Sequence, residues 1–500
     1  MESIWRKSVQ EQKYEKLEKD SYCDVCIVGA GITGLSCGYE LAKEGIQVII
    51  LEKDRIGSET SGNTTGKITS QHGLFYRYLL DTYGEDFARR YLEANQGAKE
   101  NIKQIIQEEK IECDLENQDN YVFATNQIEQ EKIKLEVEAV QNLGFDAEFV
   151  PELAIPIENM GGIVFPNQAQ FNSVKYMQGL ANAIVQKEGR IYEKSKVVNT
   201  QKDEEGYLVE TEDYVVHAKF VILATRYPIK SFPGFHFLKM YQSTSYAIAF
   251  ETQKTLFNGM YISDTTPAIS LRTSVYENRR VGILAGEDHK TGKQEEEDHI
   301  KALEEQLKKM YPDAKIKFEW EAEDCISLDK LPYIGEFSTL MPHLYIATGF
   351  KKWGITTSNL AANILKDLIL ERENLYVDLF DSKRLKPIQN HTEMVDMLKE
   401  AGNSILLKKL VLPKEKIQDV EEEEGCVVEY QGDKIGIYKE KGGKIFAVKP
   451  ICTHLGCELV FNSTLKTWDC PCHGSRFDYK GRSISAPSVH NLDVYNLEID

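Results

Sequence analysis

The sequence predicts three folding units: an α/β domain built on a parallel sheet, an α+β domain interleaved with it, and a small all-β domain at the C-terminal end. The first is indicated by a buried strand, a glycine turn, a helix and a second strand between residues 24 and 52. Helical periodicity followed by β-like runs indicates the second. Short strands separated by glycine turns after residue 410 indicate the third.

Composition limits the function classes. A chain of 500 residues has room for two to three domains, and 42% hydrophobic with 28% charged residues is typical of a globular protein. The net charge of −19 argues against nucleic acid and against anionic membrane surfaces as partners. No apolar run approaches the ~18 residues of a membrane-spanning helix. Residues 1–20 form an extension that is charged throughout and lacks the apolar core of a secretory signal, which predicts a cytoplasmic protein without a membrane span.

The first βαβ unit carries a dinucleotide-binding fingerprint. Gly29, Gly31 and Gly34 follow an apolar strand and open a helix, and Glu52 ends the next strand eighteen positions later. In such a turn Gly29 permits the bend, Gly31 lets the backbone approach a diphosphate, and Gly34 lets the helix pack on the strand. The helix N-terminus offers amide groups to the diphosphate, and Glu52 can accept hydrogen bonds from ribose hydroxyls. The fingerprint alone does not separate FAD from NAD.

Two later segments bear on that choice. A strand from Phe220 ends in the small-residue turn Ala224-Thr225. A second strand, from His343, ends in a turn at Gly349 and is followed by a helix from Gly354. The N-terminus of that helix could lie against a flavin carbonyl and stabilise the charge of the reduced ring.

Together these segments resemble the D-amino-acid oxidase and sarcosine-oxidase superfamily of FAD-dependent oxidoreductases, over about residues 22–375. The resemblance implies a Rossmann-like FAD-binding domain in the segments 21–75, 160–235 and 320–375, with a substrate domain in 76–159 and 236–319, so that the whole unit spans 21–380. It places the loop 57–66 over the flavin and Val197 against adenine. The residues that it implies for FAD binding are Gly29, Gly31, Ile32, Thr33, Gly34, Glu52, Lys53, Thr64, Thr65, Val197, Ala224, Thr225, Gly349, Gly354 and Ile355.

Within the substrate domain, the stretch 84–144 reads as helical, with an apolar face formed by Ile133, Val137, Val140 and Leu143. Between about 241 and 286, short β-like runs suggest the sheet that covers the flavin pocket. Residues 381–408 contain a proline and mixed polarity, and they are interpreted as a linker.

Two blocks near the C-terminus, Cys452-Thr-His454-Leu-Gly-Cys457 and Cys470-Pro-Cys472-His473-Gly-Ser, each supply a thiolate, an imidazole and a second cysteine. Two Cys and two His are what a Rieske [2Fe–2S] centre requires, and zinc is the alternative. Zinc sites more often use C-x-x-C or H-x-x-x-H spacings. Both loops resemble the Rieske family over residues 409–500. That resemblance implies cluster ligands Cys452, His454, Cys470 and His473, and a disulfide between Cys457 and Cys472.

A flavin accepts a hydride and a [2Fe–2S] cluster accepts one electron, so both on one chain would split electron pairs into single electrons. The family resemblance implies dehydrogenation of an amine or amino acid, with electrons passing to an external one-electron carrier. Two alternatives remain: an NAD(P)H-dependent reductase, although no second dinucleotide fingerprint follows a strand, and a non-catalytic redox carrier or sensor.

No catalytic residue is predicted, because hydride transfer from a neutral amine requires positioning more than a dedicated acid or base. Sarcosine-oxidase-like members carry a carboxylate-binding lysine where this chain has Thr356, and Lys351 and Lys352 could serve instead. Cys325 is offset from the position of covalent flavin attachment in those members, so noncovalent FAD is expected. Further possible pocket residues are His72, Arg272 and His289.

Overall fold

The computed structural model describes residues 2–10, 12–292, 298–384, 417–495 and 497. Within this part of the chain, four sheets form the framework. Two large sheets belong to the first two predicted units, and two small ones belong to the C-terminal unit. The predicted linker 381–408 lies almost entirely outside the described residues.

The first sheet carries the predicted parallel βαβ unit. Val25 pairs in parallel with Val48 on one side and with Phe220 on the other. Its central strands are apolar and buried on both faces, as parallel sheets between helices require. In spatial order its strands are Tyr333–Ser338, Met341–Thr348, Val215–Leu223, Ser21–Val28, Val48–Leu51 and Arg190–Tyr192, with Val197–Lys202 and Tyr207–Thr211 joined beside Val215–Leu223.

Helices pack on this sheet and on each other. The helix Ile32–Lys43 is buried over nearly its whole length, between the sheet, Ser173–Gln186 and Gly354–Ile369. Side chains cap several helix starts: Asn172 Oδ1, for example, accepts from the amides of Val174 and Lys175. The α-helices of the described residues are Ile4–Lys7, Ile32–Lys43, Thr60–Asn63, Tyr76–Tyr83, Glu85–Glu108, Gln127–Asn142, Ser173–Gln186, His299–Met310 and Gly354–Ile369.

The second sheet forms the other large unit and has nine strands. In spatial order these are Lys315–Ser327, Met240–Glu251, Arg279–Lys290, Ser270–Tyr276, Met260–Ser263, Glu116–Phe123, Gly162–Gln170 and Lys67–Ile68, with Glu148–Val150 beside Gly162–Gln170. The strands Gly162–Gln170 and Lys315–Ser327 lie in this sheet, within or next to the segments that the sequence analysis gave to the FAD domain.

The prediction of helical structure over 84–144 is wrong for residues 116–123. The structure has two helices there, Glu85–Glu108 and Gln127–Asn142, separated by the strand Glu116–Phe123. That strand begins with five polar residues, so it lacks the alternation of apolar and polar residues by which a strand is predicted from sequence. It forms because it pairs with Gly162–Gln170 and Met260–Ser263, which are distant in sequence. The predicted apolar face (Ile133, Val137, Val140 and Leu143) is buried.

The C-terminal unit consists of two four-stranded antiparallel sheets. The first contains short strands of the kind predicted after residue 410 and is ordered Gly425–Tyr430, Asp433–Lys439, Ile445–Val448 and Val494–Tyr495. The second carries the cysteine and histidine loops and is ordered Val460–Asn462, Thr467–Asp469, Arg476–Asp478 and Ser483–Ser485. The buried Trp468 ring packs on Phe461 between them.

The N-terminal extension is anchored on the first unit. Trp5 is buried, and its Nε1 donates to Thr64 O at 2.6 Å. Further along, the amide of Leu17 donates to Ser195 Oγ at 2.9 Å. Among the described residues, no helix is long and apolar enough to cross a membrane.

Candidate functional site

A cavity of about 600 Å³ opens at the carboxyl ends of the parallel strands, within the size range of cofactor and ligand sites. Gly29, Glu52, Ala224 and Gly349 each follow one of four neighbouring parallel strands and line it. Ligands bind at this edge of open α/β sheets because the strand-to-helix turns meet there.

The glycine turn leaves no room for side chains at Gly29 and Gly34. Gly29 has φ of +105°, and a Cβ there would lie 2.7 Å from Ala224 O. A Cβ on Gly34 would lie 1.9 Å from Gly29 O, so helix and strand touch at this point. Gly31 faces the cavity, where only Ser61 Oγ comes within 3.0 Å of an added Cβ. The backbone is therefore open to a ligand at Gly31 and closed by packing at Gly34.

Glu52 is held at the far end of the cavity by backbone amides. Its carboxylate accepts from Ala30 N at 2.8 Å and from Asp54 N at 2.9 Å. Burial raises the pKa of Glu52 to about 7, although these two hydrogen bonds oppose the rise. Its neighbour Lys53 forms an ion pair with Glu59 and donates to the carbonyl of Ile484 in the C-terminal unit.

Nearly all of the residues predicted to bind a dinucleotide come together here. Gly34 is the exception, because its contact is with the strand beneath the helix. The predicted residues that line the cavity are Gly29, Gly31, Ile32, Thr33, Glu52, Lys53, Thr64, Thr65, Val197, Ala224, Thr225, Gly349, Gly354 and Ile355.

His72 lies at the other end of the cavity and is neutral. Its Nε2 is 3.1 Å from Thr69 O, which can only accept, so Nε2 carries the hydrogen and Nδ1 accepts from Tyr91 Oη at 2.7 Å. The imidazole stacks on Trp353 with centroids 5.1 Å apart. Burial lowers the pKa of His72 to about 3.

Two lysines flank this end. Lys351 Nζ lies 4.5 Å from the centroid of the Phe75 ring, and burial lowers its pKa to about 8. Lys352 instead forms an ion pair with Asp288 at 2.8 Å. Thr356 lines the cavity and donates to Thr69 O at 3.1 Å. Lys351 is therefore the better placed of the two lysines to meet an anionic group.

Neither Arg272 nor His289 lines the cavity. The Arg272 guanidinium is buried and donates from Nη1 to Thr65 O and Gly66 O, at 2.7 and 2.8 Å, so it fixes the loop from behind. His289 stacks on His299 at 4.3 Å. Cys325 does line the cavity, as a buried free thiol whose pKa burial raises to about 12.

The second site lies in the C-terminal unit, where the two cysteine and histidine loops meet. Cys452 and Cys470 are buried free cysteines, and a hydrogen bond between their thiols lowers the pKa of Cys452. The rings of His454 and His473 are 5.0 Å apart and perpendicular. In both, Nδ1 is buried without a hydrogen-bond partner. Two thiols and two orphaned imidazole nitrogens therefore converge, which is an unfavourable arrangement unless a ligand satisfies them.

The remaining two cysteines of these loops are joined to each other. Cys457 Sγ and Cys472 Sγ are 2.02 Å apart, within a disulfide. The sulfur of Cys470 lies within 4.8 Å of this pair. Because the disulfide occupies both of those sulfurs, Cys452 and Cys470 are the thiols of these loops that remain free for a metal.

The two sites are joined by contacts that the sequence does not predict. Ser483, Ala486, Ser488 and Val489, which belong to the C-terminal unit, form part of the wall of the large cavity. At the same interface Glu323 accepts from Arg476 Nη1 at 2.7 Å and pairs with Arg226 at 2.5 Å. Each of these three charged residues reads as an ordinary surface charge in the sequence, since the two arginines lie about 100 and about 150 positions from Glu323.

Comparison with known proteins assigns both units. Residues 24–368 match the family described as FAD dependent oxidoreductase, and residues 411–496 match the Rieske [2Fe-2S] domain. The chain is 33% identical over 498 residues to a protein of Bacillus subtilis (strain 168) named putative Rieske 2Fe-2S iron-sulfur protein YhfW, covering 99% of this chain and 98% of that one. The match to the Rieske domain decides against the zinc alternative.

More distant relatives cover the first unit. Gamma-glutamylputrescine oxidoreductase of Escherichia coli (strain K12) is 24% identical over 376 residues, 71% of this chain and 85% of that protein. Among solved structures, glycine oxidase from Geobacillus kaustophilus superposes with a TM-score of 0.62 at 20% identity, over 73% of this chain and all of that chain. The structural match shows a shared fold.

Proposed function

Because the chain belongs to the FAD-dependent oxidoreductase family and ends in a Rieske domain, we propose that it is a dehydrogenase that oxidises a small amine or amino acid and delivers electrons singly through the cluster to an external carrier. The family binds FAD and the Rieske domain binds a [2Fe–2S] cluster. One observation carries the proposal: a loop of the Rieske domain forms part of the wall of the cavity that has the dinucleotide-binding turn.

The residues of the cavity fit FAD. The turn at Gly29 and Gly31 brings bare backbone to the cavity at the start of the helix Ile32–Lys43, where amide groups favour a diphosphate. Two amides orient the Glu52 carboxylate, and its remaining lone pairs suit ribose hydroxyls. Thr64 and Thr65 and the start of the helix Gly354–Ile369 would hold the opposite end. When bound, FAD accepts a hydride and releases electrons one at a time.

The end of the cavity near His72 fits an amino compound. Lys351 offers a cation to a substrate carboxylate, at a position different from the lysine of sarcosine-oxidase-like proteins. Neutral His72 and the Trp353 ring stacked on it provide an uncharged wall beside that cation. This arrangement binds and orients a substrate, and it excludes water from one side.

The Rieske loops fit a cluster held by Cys452, His454, Cys470 and His473. The two free thiols and the two orphaned Nδ1 atoms provide the two sulfur and two nitrogen ligands that such a cluster takes. The Cys457–Cys472 disulfide would tie the two loops together behind them.

The names of several relatives support an amine or amino-acid substrate. Gamma-glutamylputrescine oxidoreductase is a sequence relative, and glycine oxidase and the L-proline dehydrogenase from P. horikoshii are structural neighbours. The external one-electron carrier and the cytoplasmic location are further parts of this proposal.

Anaerobic mixing tests the proposal. Purified holoprotein is mixed with NADH, with NADPH and with a panel of amines and amino acids, while the absorption of flavin and cluster is followed. The proposal predicts that an amine or amino acid bleaches both chromophores and that the pyridine nucleotides do not. Rapid bleaching of both by NADH or NADPH would instead make the protein a pyridine-nucleotide reductase. Dithionite, which should reduce both, is the control for intact cofactors.

A further inference from the structure

The edge formed by the two histidines of the Rieske loops is covered by side chains of the unit 21–380. His454 Nε2 lies 2.6 Å from Ser231 Oγ. The Phe237 ring meets both imidazoles edge-on, with centroids 6.1 Å from His454 and 5.5 Å from His473. An imidazole that binds iron through Nδ1 carries its hydrogen on Nε2, so His454 would donate to Ser231.

Gln242 joins the Rieske loops to the second sheet. Its side-chain amide donates to His473 O and to Ala486 O, both at 2.8 Å. These carbonyls belong to a ligand loop and to the neighbouring loop that enters the cavity wall. One buried side chain therefore holds both loops at a fixed distance from the strand Met240–Glu251.

The fit at this contact is tight. A Cβ on Gly474 would lie 2.7 Å from Gln242 Cβ, and Gly474 has φ of +73°. On the other side of the contact, a Cβ on Gly292 would lie 2.7 Å from Pro471 N. Gly474 lies against the side chain of Gln242 and Gly292 lies against the backbone of Pro471, so the surfaces match in shape as well as in hydrogen bonding.

The strand that carries Gln242 also lines the cavity. Tyr241 and Ser243, its neighbours in sequence, face the cavity, because successive side chains of a strand alternate between its two faces. Cys325 lines the same cavity, and its Sγ is 3.6 Å from Met240 Sδ. A single β-strand therefore separates the cavity from the ligand loops.

We propose that FAD reduces the cluster within one chain in this docked arrangement, and that Gln242 is the positioning residue that holds the histidine loop against the strand lining the FAD cavity. In each transfer, reduced FAD loses one electron and one ferric iron of the cluster becomes ferrous. The second electron follows after a one-electron acceptor outside the chain has reoxidised the cluster. This inference uses the two cofactors of the proposed function but not its substrate.

The test is flash photoreduction of FAD in the full-length holoprotein, with cluster reduction followed by circular dichroism. Gln242→Leu removes both N–H donors and leaves two buried carbonyls without partners. We expect transfer to slow by about tenfold or more, equivalent to ~1.4 kcal/mol of lost docking, while the EPR g-values and midpoint potential of the cluster stay those of the wild type. The wild-type rate should not depend on protein concentration.

Gln306→Leu is the matched control, because the Gln306 amide also donates, to Glu287, and also has a buried Oε1 without a partner. It should transfer at the wild-type rate. A wild-type rate in Gln242→Leu, or a rate that rises with protein concentration, would overturn the inference.

If Gln242→Leu fails to assemble its cluster, by iron content and EPR, Ser231→Ala replaces it. That variant must then slow transfer, and an unchanged rate would refute the docked route. Because light replaces the substrate, a failure of the amine panel would not affect this result.

Discussion

Replacing Glu323 by glutamine should loosen the contact between the two cofactor units. Glu323 accepts from Arg476 and Ser485 of the Rieske domain and pairs with Arg226 of the FAD-binding unit. Burial opposes its ionisation, but the two guanidinium groups outweigh burial and lower the pKa of Glu323 from 4.5 to about 2. Glutamine cannot carry that charge, so Arg226 loses its carboxylate partner.

The pKa shift of Glu323 gives the size of the expected loss in stability. At 1.36 kcal/mol per pKa unit, the shift of Glu323 corresponds to about 3 kcal/mol, which matches the cost of breaking a buried ion pair by removing one partner. Because the pKa in the folded state lies below its unfolded value, this stability is fully present above about pH 4.5 and is lost as the pH falls toward 2.

Hydrogen exchange is a suitable assay, because a chain of several domains does not unfold in two states. In Glu323→Gln, amides of Lys315–Ser327 and Ser483–Ser485 should exchange about a hundredfold faster near pH 7. The difference from the wild type should shrink between pH 4.5 and pH 2.

Glu321→Gln is the matched control for this experiment. Glu321 lies on the same strand and also accepts from Arg476, at 3.0 Å, but burial raises its pKa rather than lowering it. Its ionised form is therefore disfavoured in the folded state, and glutamine there should keep exchange within about threefold of the wild type. Equal effects of the two variants, or no effect of Glu323→Gln, would refute this reading of the interface.

Three further predictions concern the two cofactor sites. Gly34→Ala should lower the FAD content and destabilise the protein by about 3 kcal/mol, because the added Cβ would lie 1.9 Å from Gly29 O. The flavin-to-protein ratio measures the first effect and calorimetry the second. Lys351→Met should raise KM for an amino acid at least roughly tenfold while barely changing kcat. In the wild type KM should rise above about pH 8, where Lys351 loses its proton, and equal KM values at all pH would exclude a carboxylate contact. Cys457→Ser removes the bond to Cys472 and should destabilise the Rieske domain by about 3 kcal/mol. The thermal loss of the cluster signal measures this change. An unchanged melting temperature would show that the disulfide is dispensable.

Local patterns predict a set of dinucleotide-binding residues, and the structure brings most of them together in the wall of the cavity. Gly29, Gly31 and Glu52 are close in sequence, and their roles depend on one strand, one turn and one helix start. The proposed cluster ligands likewise lie in two short blocks of the sequence. In each case the chemistry requires residues at fixed spacing, so the sequence carries the signal directly.

Contacts between distant segments could not be predicted in this way. Gln242 opens a polar run (Gln242 to Ser245) in its strand, and nothing near it indicates that it meets His473, 231 positions later. The strand Glu116–Phe123 was missed because its polar first half has no period of its own and depends on its neighbours in the sheet. Arg272 was predicted as a possible pocket residue because charged side chains are common in pockets. In the structure its guanidinium instead donates hydrogen bonds to backbone carbonyls.

Electron transfer from FAD to the cluster is tested by an anaerobic titration with an amine or amino-acid donor that reduces the protein. One FAD holds two electrons and one Rieske cluster holds one, so complete bleaching of both should require about 1.5 equivalents of a two-electron donor per chain. In Cys470→Ser, which lacks one of the proposed cluster ligands, the end point should fall to about 1.0 equivalent. A wild-type end point near 1.0 equivalent, with the flavin bleached and the cluster still oxidised, would contradict electron transfer from FAD to the cluster.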